Sequence, residues 1–464
     1  MDNTHRESDR LISTRECVAK HFPKYGPNKA REVTRLIYEI SKRDGIPPGK
    51  IVSSILSDLL DGRPNTAQGP ARSGEIGYED VKRSLILRRY PRAAISQKDI
   101  NPYLPKIELR KDDLFTFRKE RFYPKDIFYE KSSADSSMVS RLKSLFPLSR
   151  FTEIEKLKTH LKKKRTDPVH NLNHRRETLF IVEESYDFFK KCPCTKGAMG
   201  CGYHVMNLGF GCIYDCTYCF LQEYSNSPGL ILPSNIDRYL VAADKYLKPG
   251  MRIGTGEFTD SLALDDITLY SQPLIEYFSL KKDVTFEFKT KSANIDNVLK
   301  SKPSRNIVIG WSVNPEALIK ENENYAASLK ERLDAAKRCA RHGFRVAFHF
   351  DPVIYYDGWE SDYEAVTKMM FDSVREKDIA WISLGTFRFS TALKPMIEKR
   401  FPDNKILDEE LIIGYDGKLR YPEEMRLSIY KTMWNNIRKH SSGVHMYLCM
   451  EEGRICKTLG DKTR

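Results

Sequence analysis

GFGCIYDCTYCFLQEY, residues 209–224, puts Cys212, Cys216 and Cys219 on one short stretch. The C-x3-C-x2-C run is one thiolate short of the four that close a structural zinc site, and it lacks the two separated pairs such sites use. Closely spaced cysteines also hold iron–sulfur clusters. Three thiolates on one loop hold three irons of a [4Fe–4S] cube and leave the fourth open to a small molecule. Tyr218, immediately before the third cysteine, is placed to shield such a cluster from water. Zinc and a fortuitous grouping are the competing readings at this point.

The residues that follow decide the fold. Short β-rich runs recur at 251–258, 284–291, 306–314, 344–355 and 379–389, and several are separated by helical patterns. The clearest helix is AASLKERLDAAKRCARHG, 326–343, with Gly343 as its C-terminal stop. Strands alternating with helices predict a parallel sheet with crossovers, here an α/β fold with a partial, open β/α barrel. Each run ends in polar residues: Glu257 and Thr259, Lys289 and Lys291, Ser312 and Asn314, His349 and Asp351, Thr386 and Arg388. In parallel β/α architectures the active site forms at the C-terminal ends of the strands, so this agreement points to an enzyme. His349 and Asp351 share a strand face, either as a metal pair or as hydrogen-bonded groups at the pocket rim.

Upstream the texture differs. Residues 1–175 hold 37 Lys and Arg against 23 Asp and Glu, whereas residues 176–464 hold 40 of each. The whole net charge of +14 therefore belongs to a basic, mainly helical N-terminal extension, 1–175, set before a core of 176–464. Such asymmetry points to a polyanionic partner, with DNA first, or to a merely solvated basic segment. Helices are expected at 31–42 and 50–60 around the breaker GIPPG, and a linker at 62–77. LKTHLKKKRTD, 157–167, reads as a basic helix or arm. No run of about 18 uncharged apolar residues predicts a membrane span, and the charged start is unlike a secretory signal, so a cytoplasmic location is expected.

Six of the ten cysteines lie between 192 and 219, a grouping that in a reducing compartment favours metal over disulfides. Cys192, Cys194 and Cys201 are candidates for an auxiliary cluster or zinc site, with Cys449 and Cys456 as further thiols.

The triplet with its preceding aromatic resembles the signature of the radical S-adenosylmethionine (SAM) superfamily. That resemblance implies that SAM binds the open iron and is cleaved by one electron to a 5′-deoxyadenosyl radical, with flavodoxin or ferredoxin as the type of donor. Further stretches resemble the spore photoproduct lyase family, which repairs a thymine dimer in DNA: GC-x3-C-TYCFLQ, 257–268, FKTKS at 288–292, WSVNP at 311–315, Asp-Pro…GWE at 351–360 and GKLRYP at 417–422. The likeness covers about 180–450. It implies Cys212, Cys216 and Cys219 as cluster ligands, Thr259, Lys291 and Ser312 around SAM, and Arg420 and Tyr421 at the lesion pocket. It also gives Tyr218 a catalytic part.

Two positions depart from that family. Glu257 stands where its hydrogen-donating cysteine is expected after the first barrel strand, and Phe220 replaces a tyrosine that relays the radical. In T-G-E, Glu257 resembles the element that accepts a hydrogen bond from the SAM amino group; a strand-end ion pair is the plainer reading. The function expected is a radical SAM enzyme acting on a nucleic-acid base or UV lesion. The alternatives are a radical SAM enzyme for a protein or small molecule, and a DNA-binding redox sensor without turnover.

Overall fold

The computed structural model describes residues 3–61, 76–96, 100–162, 167–184, 188–195, 197–224 and 227–459. The expected linker at 62–77 falls largely outside them, as does 163–166 of the basic run. In chain order the strands are β1 (Asp126–Glu130), β2 (Arg150–Ile154), β3 (Thr178–Val182), β4 (Phe189–Lys191) and β5 (Tyr203–Met206). Next come β6 (Leu230–Pro233), β7 (Arg252–Thr255), β8 (Thr285–Thr290), β9 (Ile307–Ser312) and β10 (Arg345–Val353). The last are β11 (Ile379–Thr386), β12 (Arg388–Ser390), β13 (Ile412–Ile413), β14 (Lys418–Arg420) and β15 (Met446–Leu448).

The chain divides into two compact units, one of 1–114 with 387–428 and the other of 115–386 with 429–464. The larger unit contains an eight-stranded sheet of order β15-β11-β10-β9-β8-β7-β5-β4. Its neighbours pair in parallel, except that edge strand β4 runs antiparallel to β5. Helices Ser271–Ser279, Leu329–His342 and Trp359–Ser373 supply crossovers. All residues of β9 and β11 are buried, as expected of parallel strands covered on both faces. Helix Leu329–His342 starts with a capping box between Ser328 and Glu331 and stops at Gly343, whose φ of 114° few other residues adopt.

Arg252 on β7 donates to the Tyr447 hydroxyl on β15 at 3.2 Å, although four strands separate the two. Only the inner face of a curled, open sheet brings them together. Register then assigns Glu287, Gly310, His349 and Ser383 to that same inner face.

Sequence reasoning missed a second, four-stranded parallel sheet of order β2-β1-β3-β6. Its strands span only four or five residues and lie among charges and prolines that hide their alternation. It also missed β4 and β5, so the strand leading to Glu257 is the second parallel strand of the barrel sheet. Arg388 does not close β11. It starts β12, which pairs with β14 in a separate antiparallel sheet of the smaller unit.

That smaller unit packs Asn3–His21, Pro27–Asp44, Pro48–Leu60 and Tyr78–Arg89 around Val33, Leu36, Ile37, Ile51, Val52 and Leu85. The two helices expected around GIPPG are present. Glu39 is buried and accepts from Arg35 Nε at 2.6 Å, Arg89 Nε at 2.9 Å and Lys394 Nζ at 2.7 Å. Arg35 also reaches Glu398. Residues 1–114 thus form a folded unit with 387–428, and part of the positive excess lies in internal ion pairs. The charge boundary near 175 and the packing boundary at 114 are different properties of the chain. Removing one partner of a buried ion pair costs about 3–5 kcal/mol. Glu39→Ala is therefore expected to lower the unfolding free energy of this unit by that amount, read by denaturant titration, and a loss under about 1 kcal/mol would contradict the role given to the cluster.

Candidate active site

The cysteine loop follows β5 at the C-terminal end of the barrel strands, and chain sterics fix its course. Gly211 has φ 90°, and a Cβ there would meet Leu230 Cδ2 at 2.8 Å. Its amide donates to the Phe258 carbonyl at 2.8 Å, joining this loop to the one after β7. Thr217 N donates to Asn322 O, and Asn324 Nδ2 to Asp215 O, both at 2.8 Å. Cys219 N closes a turn onto Cys216 O at 3.0 Å. These bonds hold all three thiols of the triplet on one rigid loop.

Burial pushes the Cys212 thiol up to about 12, with the Asp260 carboxylate adding to it, and raises Cys216 and Cys219 as well. Three adjacent thiolates are therefore unfavourable here without a cationic centre among them. Arg175 supplies a second observation. It is 1% exposed and donates Nη2 to Asp215 Oδ1 at 2.7 Å, while its Nε and Nη1 have no hydrogen-bond partner among the described residues. Burial opposes its charge, but Asp215 and the three cysteines hold it above its ordinary value. Asp215 itself adopts φ 48°, a conformation aspartate tolerates better than most residues. A buried guanidinium with spare donors beside three thiols fits a thiolate-held cluster that carries net negative charge.

Asp260 orders the loop after β7. Its Oδ1 accepts from Leu262 N, Ala263 N and Thr290 Oγ1, and its Oδ2 from Lys291 N at 2.7 Å. It ties the segment carrying half-buried Thr259 to the end of β8 that carries Lys291. Burial opposes the Lys291 charge, but Glu323 and Cys216 outweigh it and hold the ammonium charged. Its Nζ lies 5.8 Å from the Tyr218 ring centre.

Tyr218 is not turned to solvent. Its hydroxyl donates to Glu323, which also receives Asn314 Nδ2 at 3.1 Å and pairs with buried Arg332. Arg332 Nη1 in turn donates to the Ser312 carbonyl at 2.9 Å. Half-buried Tyr218 and Lys291 and the Ser312 backbone are therefore gathered around buried Glu323 and Arg332. Asp260, Glu323, Arg332 and Arg175 were missed by sequence reasoning. Asp260 lies within the EFTDSLALDDIT stretch; the others sit in ordinary charged segments.

Glu257 is paired with Lys190 Nζ at 3.0 Å, and that ammonium also sits 4.6 Å from the Phe258 ring centre. In this structure the Glu257 carboxylate is thus paired with an ammonium. Phe220 and Tyr224, 42% and 60% exposed, stand edge to face at 5.9 Å beside the cysteine loop.

His349 and Asp351 do not act as a metal pair in this arrangement. His349 Nε2 meets Glu287 Oε1 and its Nδ1 meets Ser383 Oγ, each at 2.6 Å. Arg420 and Tyr421 belong to the smaller unit, both 0% exposed; Arg420 pairs there with Asp416 at 2.6 Å. Among the described residues no helix is long and apolar enough to cross a membrane.

The chain is 28% identical to a spore photoproduct lyase of Clostridium acetobutylicum over 239 residues, 49% of this chain and 70% of that protein. It is 29% identical to that of Bacillus subtilis over 209 residues, 43% of this chain and 61% of the relative. A spore photoproduct lyase solved with dinucleoside spore photoproduct superposes with a TM-score of 0.61 at 22% identity, covering 71% of this chain and 100% of the other. A variant solved with bound AdoMet (SAM) and the same dinucleoside gives the same values. The spore photoproduct lyase family profile matches residues 122–444, well over half of the sequence, and the chain belongs to that radical SAM family.

Proposed function

We propose that this protein is a radical SAM enzyme that acts on a base lesion in DNA. The observation that carries the reading is the triplet loop, whose three thiols act electrostatically on buried Arg175, a guanidinium with two nitrogens unmatched among the described residues. Cys212, Cys216 and Cys219 would hold the cluster, while Thr259, Lys291 and Ser312 offer hydroxyls and an ammonium to SAM. When bound, cluster and cosubstrate supply a carbon-centred radical that abstracts hydrogen from the substrate. The chain's own part is to hold the loop rigid, keep Lys291 charged and exclude water by burying Tyr218 against Glu323.

DNA is supported by the lyases that the chain resembles and by Phe220 and Tyr224, exposed aromatic faces suited to stacking on an extruded base. Exposed cations such as Lys20, Arg31, Lys158 and Lys162 are suited to phosphates. Arg420 and Tyr421 belong to the same reading as lesion-pocket residues. So do a flavodoxin- or ferredoxin-type donor and a second thiolate site at Cys192, Cys194 and Cys201.

Anaerobically reconstituted protein with dithionite and SAM is expected to release 5′-deoxyadenosine, faster when UV-irradiated DNA is present. Absence of release with an intact cluster would sink the enzyme reading. DNA affinity is expected to fall with salt by about 0.9 logarithmic units per phosphate contact and decade. Lys20→Glu with Arg31→Glu, and Lys158→Glu with Lys162→Glu, should flatten that slope. An unchanged slope in both pairs would remove these cations from the DNA interface.

A further inference from the structure

The barrel sheet is open, and its two edge strands are β4 and β15. Cys192 directly follows β4, and Cys449 directly follows β15. The two edges nevertheless meet through the intervening backbone. Met199 N donates to Glu451 O at 3.0 Å, and Ala198 forms a β-bridge with Glu452. Cys449 N donates to Leu384 O at 2.7 Å, and Cys192 N to Tyr203 O at 2.9 Å, so both cysteine backbones are fixed. Cys194 N bonds back to Cys192 O at 2.7 Å, and Cys201 packs against Trp381 and Tyr447 on the inner face.

The Cys192 and Cys194 sulfurs lie 3.8 Å apart. Two thiolates on one tetrahedral ion with metal–sulfur bonds of about 2.3 Å stand about 3.8 Å apart. The pair is thus already at the edge length of such a tetrahedron, and far beyond a disulfide's S–S length of about 2.05 Å. Cys201 and Cys449 are the electrostatic neighbours of this pair: both raise the Cys192 thiol, after the larger effects of the Cys194 contact and burial.

We propose that Cys192, Cys194, Cys201 and Cys449 form a second metal site, taking one soft divalent cation of the zinc or ferrous type and stapling the two free edges of the barrel sheet. Among the described residues no three His, Cys, Asp or Glu side chains already stand at single-ion distance, and this holds for the cluster triplet as well. Binding then requires Cys201 and Cys449 to close onto the preformed pair. Its ligands are not those of the triplet, so the two sites can be emptied separately by substitution.

The test uses the full chain. A Cys212→Ala/Cys216→Ala/Cys219→Ala variant, expressed with zinc and iron in the medium, is expected to retain about one metal equivalent bound by thiolates. Adding Cys192→Ser and Cys449→Ser should remove it. Cobalt exchanged into the triple variant should give intense thiolate charge-transfer absorption, which a misfolded or adventitious site would not. Elemental analysis then decides between zinc and iron. If the triple variant folds poorly, the wild-type chain stripped of labile cluster iron by air is measured in its place. Absence of stoichiometric metal, a Cys192–Cys194 disulfide, or metal that persists after the serine replacements would each overturn the proposal.

Discussion

Cys216→Ala is expected to lose both its cluster iron and SAM cleavage, to the limit of detection. Cys216 is 6% exposed and held by a turn from Cys219 N and by Gln222 Nε2, so no other described cysteine is positioned to substitute for it. That loss would follow from any cluster ligand; the sharper prediction concerns Arg175. Replacing it with methionine keeps much of the side-chain volume but removes the charge that faces the three thiols. It also removes the Arg175 side of a buried ion pair with Asp215, at a cost of about 3–5 kcal/mol. Residues in contact with metal ligands typically alter metal affinity about 10–100-fold when replaced. Arg175→Met should therefore release iron about 10–100-fold more readily and shift the cluster to a more negative potential, because a compensating cation is gone. Arg175→Lys should restore part of the potential without the second donor pair. The measurements are iron retention under chelator and potentiometric titration followed by paramagnetic resonance. If Arg175→Met has unchanged potential and iron retention, Arg175 is only a structural anchor for Asp215.

What the sequence made legible follows from range of interaction. The triplet, the alternation of β8 to β11 and the capped helix 329–342 are local patterns, set by spacing and backbone preference. The four-stranded sheet escaped because its short strands depend on partners about fifty residues away, as β1 does on β3 and β3 on β6. Charge misled in a different way. The excess of 1–175 reads as an appendage, yet Arg35 and Arg89 are buried against Glu39, and only packing distinguishes them from solvated cations. Asp260 and Glu323 were hidden for the same reason: a carboxylate that receives several donors looks in sequence like any surface acid. The cysteines outside the triplet were legible as a group, but the proximity of Cys449 to them needed the sheet to curl.

The inner face of that sheet yields the last large effect. Glu287 on β8 reaches His349 on β10 across β9, at the one position where β9 carries no side chain. A Cβ on Gly310 would lie 2.4 Å from Glu287 Oε1 and 2.8 Å from His349 Nε2. Neither neighbour can retreat easily, since His349 is held by Ser383 and Glu287 is fully buried. Gly310→Ala therefore overpacks the face and separates a buried hydrogen-bonded pair, costs of about 1–3 kcal/mol each, for a total of order 4 kcal/mol. Gly49→Ala, with nothing within 4 Å of the added carbon, should cost under about 1 kcal/mol. The mechanism predicts coupling: with Glu287→Ala already in place, the methyl at 310 meets less, so the double variant should lose clearly less than the sum of the two single losses. Strict additivity would mean that Gly310 matters for some reason other than this contact. The pair also carries a pH signature. Burial opposes ionisation of Glu287, but His349 and Arg252 hold its carboxyl down to about 2; burial also lowers His349, so its help to the carboxylate is felt on the acid side, where the imidazole is charged. A depressed carboxyl stabilises the fold above its unfolded pKa of about 4.3 and loses that contribution as pH falls towards 2. Gly310→Ala should therefore flatten the acid limb of the unfolding profile of the wild-type chain as well as lower its plateau.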